Sequence, residues 1–272
     1  MRFLLLLCAS LVFASDLLVS PADLKSGTYR IVDVREEEPY LKGHIPGAVR
    51  VSTRELDDLA SNRAGMPVPM DKAKALFARL GIDKNTVVVG YDDVNNRSAA
   101  RLFYFLEFFG HDKVRVLDGG FKRWVAEGGA LETTVPTVPE GKKSPKVKDK
   151  HTATADRLSN KKVTVVDTRS PDEYSGKAKM PGRPGHIPGA LNIDYREALT
   201  PEGRFKTIPE LQALFTSKGV SKNKEVATYC NSGVRASALY LALRLAGYSK
   251  ARLYDGSWED WGTDEKRPVE KD

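Results

Sequence analysis

The sequence predicts an α/β protein of two tandem domains, each a parallel sheet flanked by helices. An internal repeat and a strand–helix alternation inside each copy carry this expectation. Ile31-Val-Asp-Val-Arg-Glu returns as Val165-Val-Asp-Thr-Arg-Ser, and Gly43-His-Ile-Pro-Gly-Ala returns as Gly185-His-Ile-Pro-Gly-Ala. Leu80-Gly-Ile-Asp-Lys-Asn returns as Lys218-Gly-Val-Ser-Lys-Asn, and Leu117-Asp-Gly-Gly-Phe-Lys-Arg-Trp as Tyr254-Asp-Gly-Ser-Trp-Glu-Asp-Trp. Four matches in one order mark a duplication, and their wide spacing makes each copy a domain rather than a solenoid unit.

The chain opens outside the fold. Arg2 precedes an apolar run over residues 3–12, and small residues lead to Ala14. This pattern predicts a signal peptide at residues 1–14, hence an exported protein, periplasmic or secreted. No other run is long and apolar enough for stable membrane insertion. Cys8 would leave with the peptide, so Cys230 would have no partner within the chain and no disulfide framework is expected. The one cysteine left after residue 14 and four scattered histidines offer no zinc spacing, so no metal is expected.

Residues 15–132 form the first domain. Residues 29–34 and 86–90 are short apolar runs that read as buried strands, and 70–80 and 98–109 carry apolar residues on helical spacing. Gly110 stops the second helix. Residues 133–151 are rich in Pro, Lys and Thr without apolar periodicity, and read as a linker. Lys142, Lys143, Lys146, Lys148 and Lys150 lie there, so much of the formal charge of +7 belongs to a solvated segment. No interleaved aromatic and basic stripe appears, so no nucleic-acid partner is expected. Residues 152–272 repeat the plan, with strands at 162–166 and 225–229 and helices at 209–218 and 236–246, stopped by Gly247. Alternating strands and helices imply parallel sheets covered on both faces, with ligands at the carboxyl ends of the strands.

Cys230 sits at such an end, in Tyr229-Cys-Asn-Ser-Gly-Val-Arg-Ala. The first N–H groups of a helix lack intrahelical partners and carry partial positive charge. A sulfur in front of them is favoured as the thiolate, the nucleophilic form. Gly233 lets the loop curl so that several N–H groups converge on one atom. Asn231, Ser232 and Val234 complete the cradle, and Arg235 rivets the loop or adds positive charge. A buried, inert cysteine is the bland alternative. The coincidence of strand, cysteine, tight polar loop, arginine and helix favours a catalytic thiol. An ungapped alignment of Tyr91 on Tyr229 sets Asp92 opposite Cys230 and Arg97 opposite Arg235. The first copy therefore has a carboxylate in place of the nucleophile, and reads as catalytically silent while lending a wall to the cleft.

These residues resemble the tandem-domain rhodanese family of sulfurtransferases. Residues 40–51 (YLKGHIPGAVRV) are similar to its N-terminal signature, and residues 251–261 (ARLYDGSWEDW) to its C-terminal one, with Asp260 where Glu is usual. The resemblance covers nearly the whole chain after residue 14. It implies transfer of a sulfane sulfur from thiosulfate, through a Cys230 persulfide, to cyanide or a thiol, including a protein thiol, without metal or organic cofactor. By the same resemblance Arg169 matches an arginine that contacts the anionic donor, with a structural salt bridge to Asp167 or a neighbour as the alternative. Arg183 stands in an insertion absent from the first repeat, where a solvated loop is favoured over reach into the cleft. Asp58 falls where the mercaptopyruvate-using branch places an acid, with a solvated helix start as the equal alternative. Ser232-Gly-Val resembles that branch, while Arg235 adds positive field suited to dianionic thiosulfate, which is the expected donor. His44 and His186 belong to turns that shape the fold. Two rival classes stand beside this reading. One is a non-turnover sulfur carrier or binding module. The other is a cysteine phosphatase, which needs five residues between Cys and Arg where this loop has four.

Overall fold

The computed structural model describes residues 14–58, 66–160, 162–179 and 181–271, so the expected signal peptide, apart from Ala14, and Cys8 lie outside the described residues. The first repeat runs β1 (Leu18–Val19), α1 (Pro21–Ser26), β2 (Arg30–Asp33), α2 (Glu37–Lys42), β3 (Val49–Arg50), α3 (Thr53–Leu56), α4 (Met70–Arg79), β4 (Val88–Tyr91), α5 (Arg97–Phe108), β5 (Val114–Leu117) and α6 (Gly120–Ala126). The second runs α7 (Ala155–Leu158), β6 (Val163–Asp167), α8 (Pro171–Tyr174), β7 (Leu191–Asn192), α9 (Ile208–Ser217), β8 (Glu225–Tyr229), α10 (Val234–Leu245), β9 (Ala251–Leu253) and α11 (Ser257–Trp261).

Each copy builds one sheet, ordered β1-β5-β4-β2-β3 and β7-β6-β8-β9. Every paired strand is parallel. The central strands β4 and β8 are buried almost throughout because helices cover both faces. Their continuous apolar character in the sequence has this cause.

The Val-Asp-x-Arg motif of each repeat is a clamp at a strand end. Asp33 closes β2, and Arg35 returns Nε–H and Nη2–H to its carboxylate at 2.7–3.0 Å. Asp167 and Arg169 repeat this at 2.6–3.0 Å. Arg35 Nη2 also donates to the Gly43 carbonyl, and Arg169 Nη2 to that of Gly185, both at 2.8 Å. The Gly-His-Ile-Pro-Gly-Ala turn is thus pinned to the sheet. His44 and His186 stack on Tyr40 and Tyr174 with Nδ1 3.0 and 2.9 Å from those residues' carbonyl oxygens. They shape turns, as expected.

The copies meet along α5 and α10, and one apolar cluster runs through both. Tyr104 and Tyr240 meet edge-on at 5.7 Å, a geometry worth about 0.5–1.5 kcal/mol beyond burial. Tyr240 donates to Glu107 across the interface at 2.7 Å, and Arg244 donates to the same carboxylate at 3.0 Å. The segment between the copies keeps its lysines largely at the surface, yet its backbone is tied to the first domain. Lys146 and Lys148 donate N–H to Phe109 and Phe108 carbonyls at 3.0 and 2.7 Å.

Candidate active site

Cys230 follows the last residue of β8 and precedes α10 by a short loop. It lines a cavity of about 440 Å³ with Asn231, Ser232, Val234 and Arg235. The first domain supplies the opposite wall, including Arg35, Asp93 and Arg97. The cysteine is only 1% exposed and also touches the apolar core. These observations agree if the thiol forms the floor of a narrow cleft that a small ligand can enter.

Backbone geometry prepares that floor. Gly233 caps α10 with φ 85°, in the left-handed region. Ser237 Oγ and N both donate to its carbonyl at 2.9 Å, fixing the first turn. The N–H groups of residues 231–236 find no acceptor among the described residues. The first domain shows where such groups point. Asp92 Oδ1 accepts N–H from Val94 and Asn96 at 3.0 and 2.9 Å, and Oδ2 accepts from Ser98 and Ala99 at 2.7 and 2.9 Å. Burial pushes the Asp92 carboxyl up, and these four donors pull against it. An anion already fills the first cradle, and the second presents its thiol at the same strand end.

Comparison of the loops corrects the ungapped alignment. α5 begins five residues after Asp92, whereas α10 begins four residues after Cys230. Both helices then run for 12 residues, so Arg97 corresponds to Val234 and Ser98 to Arg235. The extra residue of the first loop is accommodated by positive φ at both Asn95 and Asn96.

Arg235 lies inside α10 and donates Nη1–H and Nη2–H to Glu173 Oε2 and Oε1 at 2.7 and 2.8 Å. Burial would raise Glu173, but the Arg235 contact outweighs it and holds the carboxyl at about 2. Arg235 therefore rivets the loop to α8, with most of its charge spent. Asn231 donates to Glu259 at 2.6 Å. Ser257 Oγ accepts the Cys230 N–H at 3.2 Å and donates to the Tyr254 carbonyl at 2.9 Å. Ser257 holds φ 53° where the first repeat has Gly120 at φ 58°. That left-handed serine is tolerated because its hydroxyl secures the cysteine backbone.

Beneath the loop lies an ion-pair network that crosses the domains. Arg101 of α5 donates Nη1–H to Asp255 Oδ1, and Nε–H and Nη2–H to Asp57 at 3.0 and 2.6 Å. Burial lifts Asp255 to about 6 against the pull of Arg101. Gly233 rests on this pair. A Cβ there would stand 2.5 Å from Asp255 Oδ1 and 3.1 Å from Arg101 Nη1.

Three sequence expectations are corrected. Arg169 is 1% exposed, bonded through Nε and Nη2 to Asp167 and through Nη2 to the Gly185 carbonyl, and placed 4.5 Å over the Trp258 ring. The first domain contains the same clamp at Arg35, so this arginine serves the fold, and it is not among the residues lining the cavity. Arg183 neither reaches the cleft nor sits in solvent. It donates to the carbonyls of Gly262, Arg267, Trp261 and Asp264 at 2.7–3.3 Å, fastening the tail after α11. Asp58 does not line the cavity. Its neighbour Asp57 bonds Arg101 instead. Arg97, Glu173, Ser257, Arg101 and Asp255 were not read as functional. Ser257 had a signal, since it replaces a glycine in the second Asp-Gly-Gly motif, and Glu173 closes the Ser-Pro-Asp-Glu capping box. Among the described residues no cluster of potential ligands could hold a metal.

Comparison with known proteins agrees with this arrangement. The family described as "Rhodanese-like domain" matches residues 21–127 and again residues 151–264. The sulfur carrier protein TtuD of Thermus thermophilus is 36% identical over 91% of this chain and 93% of its own. The thiosulfate sulfurtransferase of Azotobacter vinelandii is 31% identical over 95% and 98%. The 3-mercaptopyruvate sulfurtransferase of Escherichia coli is 35% identical over 89% and 92%. A solved structure of the anaerobic ergothioneine biosynthesis enzyme from Chlorobium limicola shares the fold, with a TM-score of 0.83 at 24% identity, covering 94% of this chain and 70% of that one.

Proposed function

This chain belongs to the rhodanese family, carrying its domain in two copies, and we propose that it is a sulfurtransferase working through a persulfide on Cys230. The observation that carries this reading is the thiol at the end of β8, facing a cavity and followed by backbone N–H groups that have no acceptor among the described residues and whose first-domain counterparts bind the Asp92 carboxylate. The Cys230 thiolate attacks the outer sulfur of the donor. For thiosulfate, the sulfur–sulfur bond breaks and its electron pair leaves with sulfite. The outer sulfur stays on Cys230 as a persulfide anion, stabilised by the loop N–H groups. A nucleophilic acceptor then attacks that sulfur and the thiolate returns. With cyanide the product is thiocyanate. No external oxidant or reductant is consumed.

Thiosulfate is the proposed donor, with 3-mercaptopyruvate as the alternative. Support comes from the thiosulfate sulfurtransferases among the relatives. Field from Arg235 lends little, because Glu173 pairs with it. Similarity to a protein named as a sulfur carrier supports a second reading, loading without turnover.

The test is intact-protein mass spectrometry after exposure to each donor, with thiocyanate production measured alongside. The wild-type protein is expected to gain one sulfur and Cys230→Ser none. Loading without thiocyanate production would select the carrier reading. Wild-type protein that gains no sulfur from either donor would overturn both.

A further inference from the structure

We propose that Arg97, from the first domain, binds the anionic head of the sulfur donor, so that the silent copy sets donor selectivity for the active one. The inference deepens the sulfur-transfer reading and rests on it for the identity of the ligand. Arg97 lines the same cavity as Cys230 and is half-buried. Three arginines line that cavity, and two are already committed. Arg35 is held by Asp33 and the Gly43 carbonyl. Arg235 is held at both terminal nitrogens by Glu173. Arg97 has no side-chain hydrogen bond or ion pair with any described residue. It is the cavity's guanidinium with its fork still open.

Position and rigidity support the role. Arg97 is the first residue of α5, so its charge adds to the partial positive charge of a 12-residue helix start. Asp92 neutralises part of that helix start, which leaves the guanidinium as the main positive group on this wall. One turn further on, Arg101 fastens the same helix to Asp255, directly under Gly233. The cation and the nucleophile are therefore held by one ion-pair network, although they belong to different domains. Exposed Glu36 and half-buried Asp93 share the wall. They repel an anion from the remaining surface and favour the orientation in which its head meets Arg97. Sulfonate-type and carboxylate heads both match a guanidinium fork, so thiosulfate and 3-mercaptopyruvate share this chemistry.

The full chain carrying Arg97→Ala or Arg97→Lys tests the proposal by two readouts. The first needs no donor: the ratio of Cys230 alkylation rates with anionic iodoacetate and neutral iodoacetamide. That ratio is expected to fall severalfold in Arg97→Ala and to be largely kept in Arg97→Lys. The second is kcat/KM for each donor, expected to fall roughly ten- to hundredfold in Arg97→Ala, mainly through KM, as fits loss of a charged hydrogen bond. A fall with both donors means that charge alone is read, and a fall with one identifies the head group selected. An alkylation ratio that depends on Arg97 in a protein that transfers no sulfur would keep the anion contact and discard the sulfur-transfer reading. A wild-type protein active with a donor, beside an Arg97→Ala variant with unchanged ratio and unchanged kcat/KM, would overturn the proposal.

Discussion

Substituting Gly233 by alanine tests whether the cysteine loop rests on the cross-domain ion pair. The glycine sits at φ 85°, where a side chain costs about 1–2 kcal/mol in the backbone alone. The added Cβ would also lie 2.5 Å from a buried carboxylate oxygen, closer than real Cβ contacts allow, so Asp255 must move. Its partner Arg101 is fully buried, and breaking such a pair costs about 3–5 kcal/mol. Partial retreat of the pair puts the expected loss for Gly233→Ala at about 2–5 kcal/mol. Gly219→Ala is the matched control. It carries φ 81° in the same domain, with nothing within 4 Å of the new Cβ, and should show the backbone cost alone. Urea unfolding followed by tryptophan fluorescence compares the two, and the rate of persulfide formation follows the loop. Equal stability losses, with wild-type sulfur loading in Gly233→Ala, would refute the coupling.

Glu173→Gln should remove stability in a pH-dependent way. The carboxyl is held at about 2 instead of its ordinary 4.5, so its contribution is complete above pH 4.5 and disappears as pH falls toward 2. The difference between wild type and variant, roughly 2–3 kcal/mol at neutral pH after allowing for the partly exposed Arg235, should shrink across that window. A difference that stays constant with pH would contradict the assignment. Arg169→Gln and Arg35→Gln should each destabilise by about 3–5 kcal/mol, because each strands a buried aspartate. An Arg169→Gln protein of native stability with weakened donor binding would restore the role expected from the sequence. Arg183→Ala should cost about 1–3 kcal/mol in stability and leave sulfur loading unchanged; impaired loading in a stably folded variant would place Arg183 at the donor.

Much of the fold was legible because duplication prints every signal twice. The helices expected at 70–80 and 98–109 appear as Met70–Arg79 and Arg97–Phe108, and the strand at 225–229 as Glu225–Tyr229. Their apolar spacing reflects burial, which is a local property of the sequence. Cys230 was legible for a similar reason, since strand, glycine turn and helix adjoin it in the chain. Arg169 misled because one residue type serves two purposes. A guanidinium suited to an anionic donor is equally suited to a buried aspartate two residues earlier, and only burial distinguishes them. Arg101 was hidden because its partners are far away in sequence, and Arg97 because the cavity it lines is built from both domains. Arg101 reaches Asp255 across 154 positions, and no periodicity records such a pairing. The one-residue difference between the loops was masked by the arginine at matching ungapped positions.

The carboxylate in the first cradle has a consequence for stoichiometry. Four amides are saturated by a plug that the polypeptide carries with it, so this half offers no vacancy to a passing oxyanion. A molecule made by doubling thus leaves a single berth for an outside anion, the one in front of Cys230. Counting cargo per chain should give one, even though the architecture repeats.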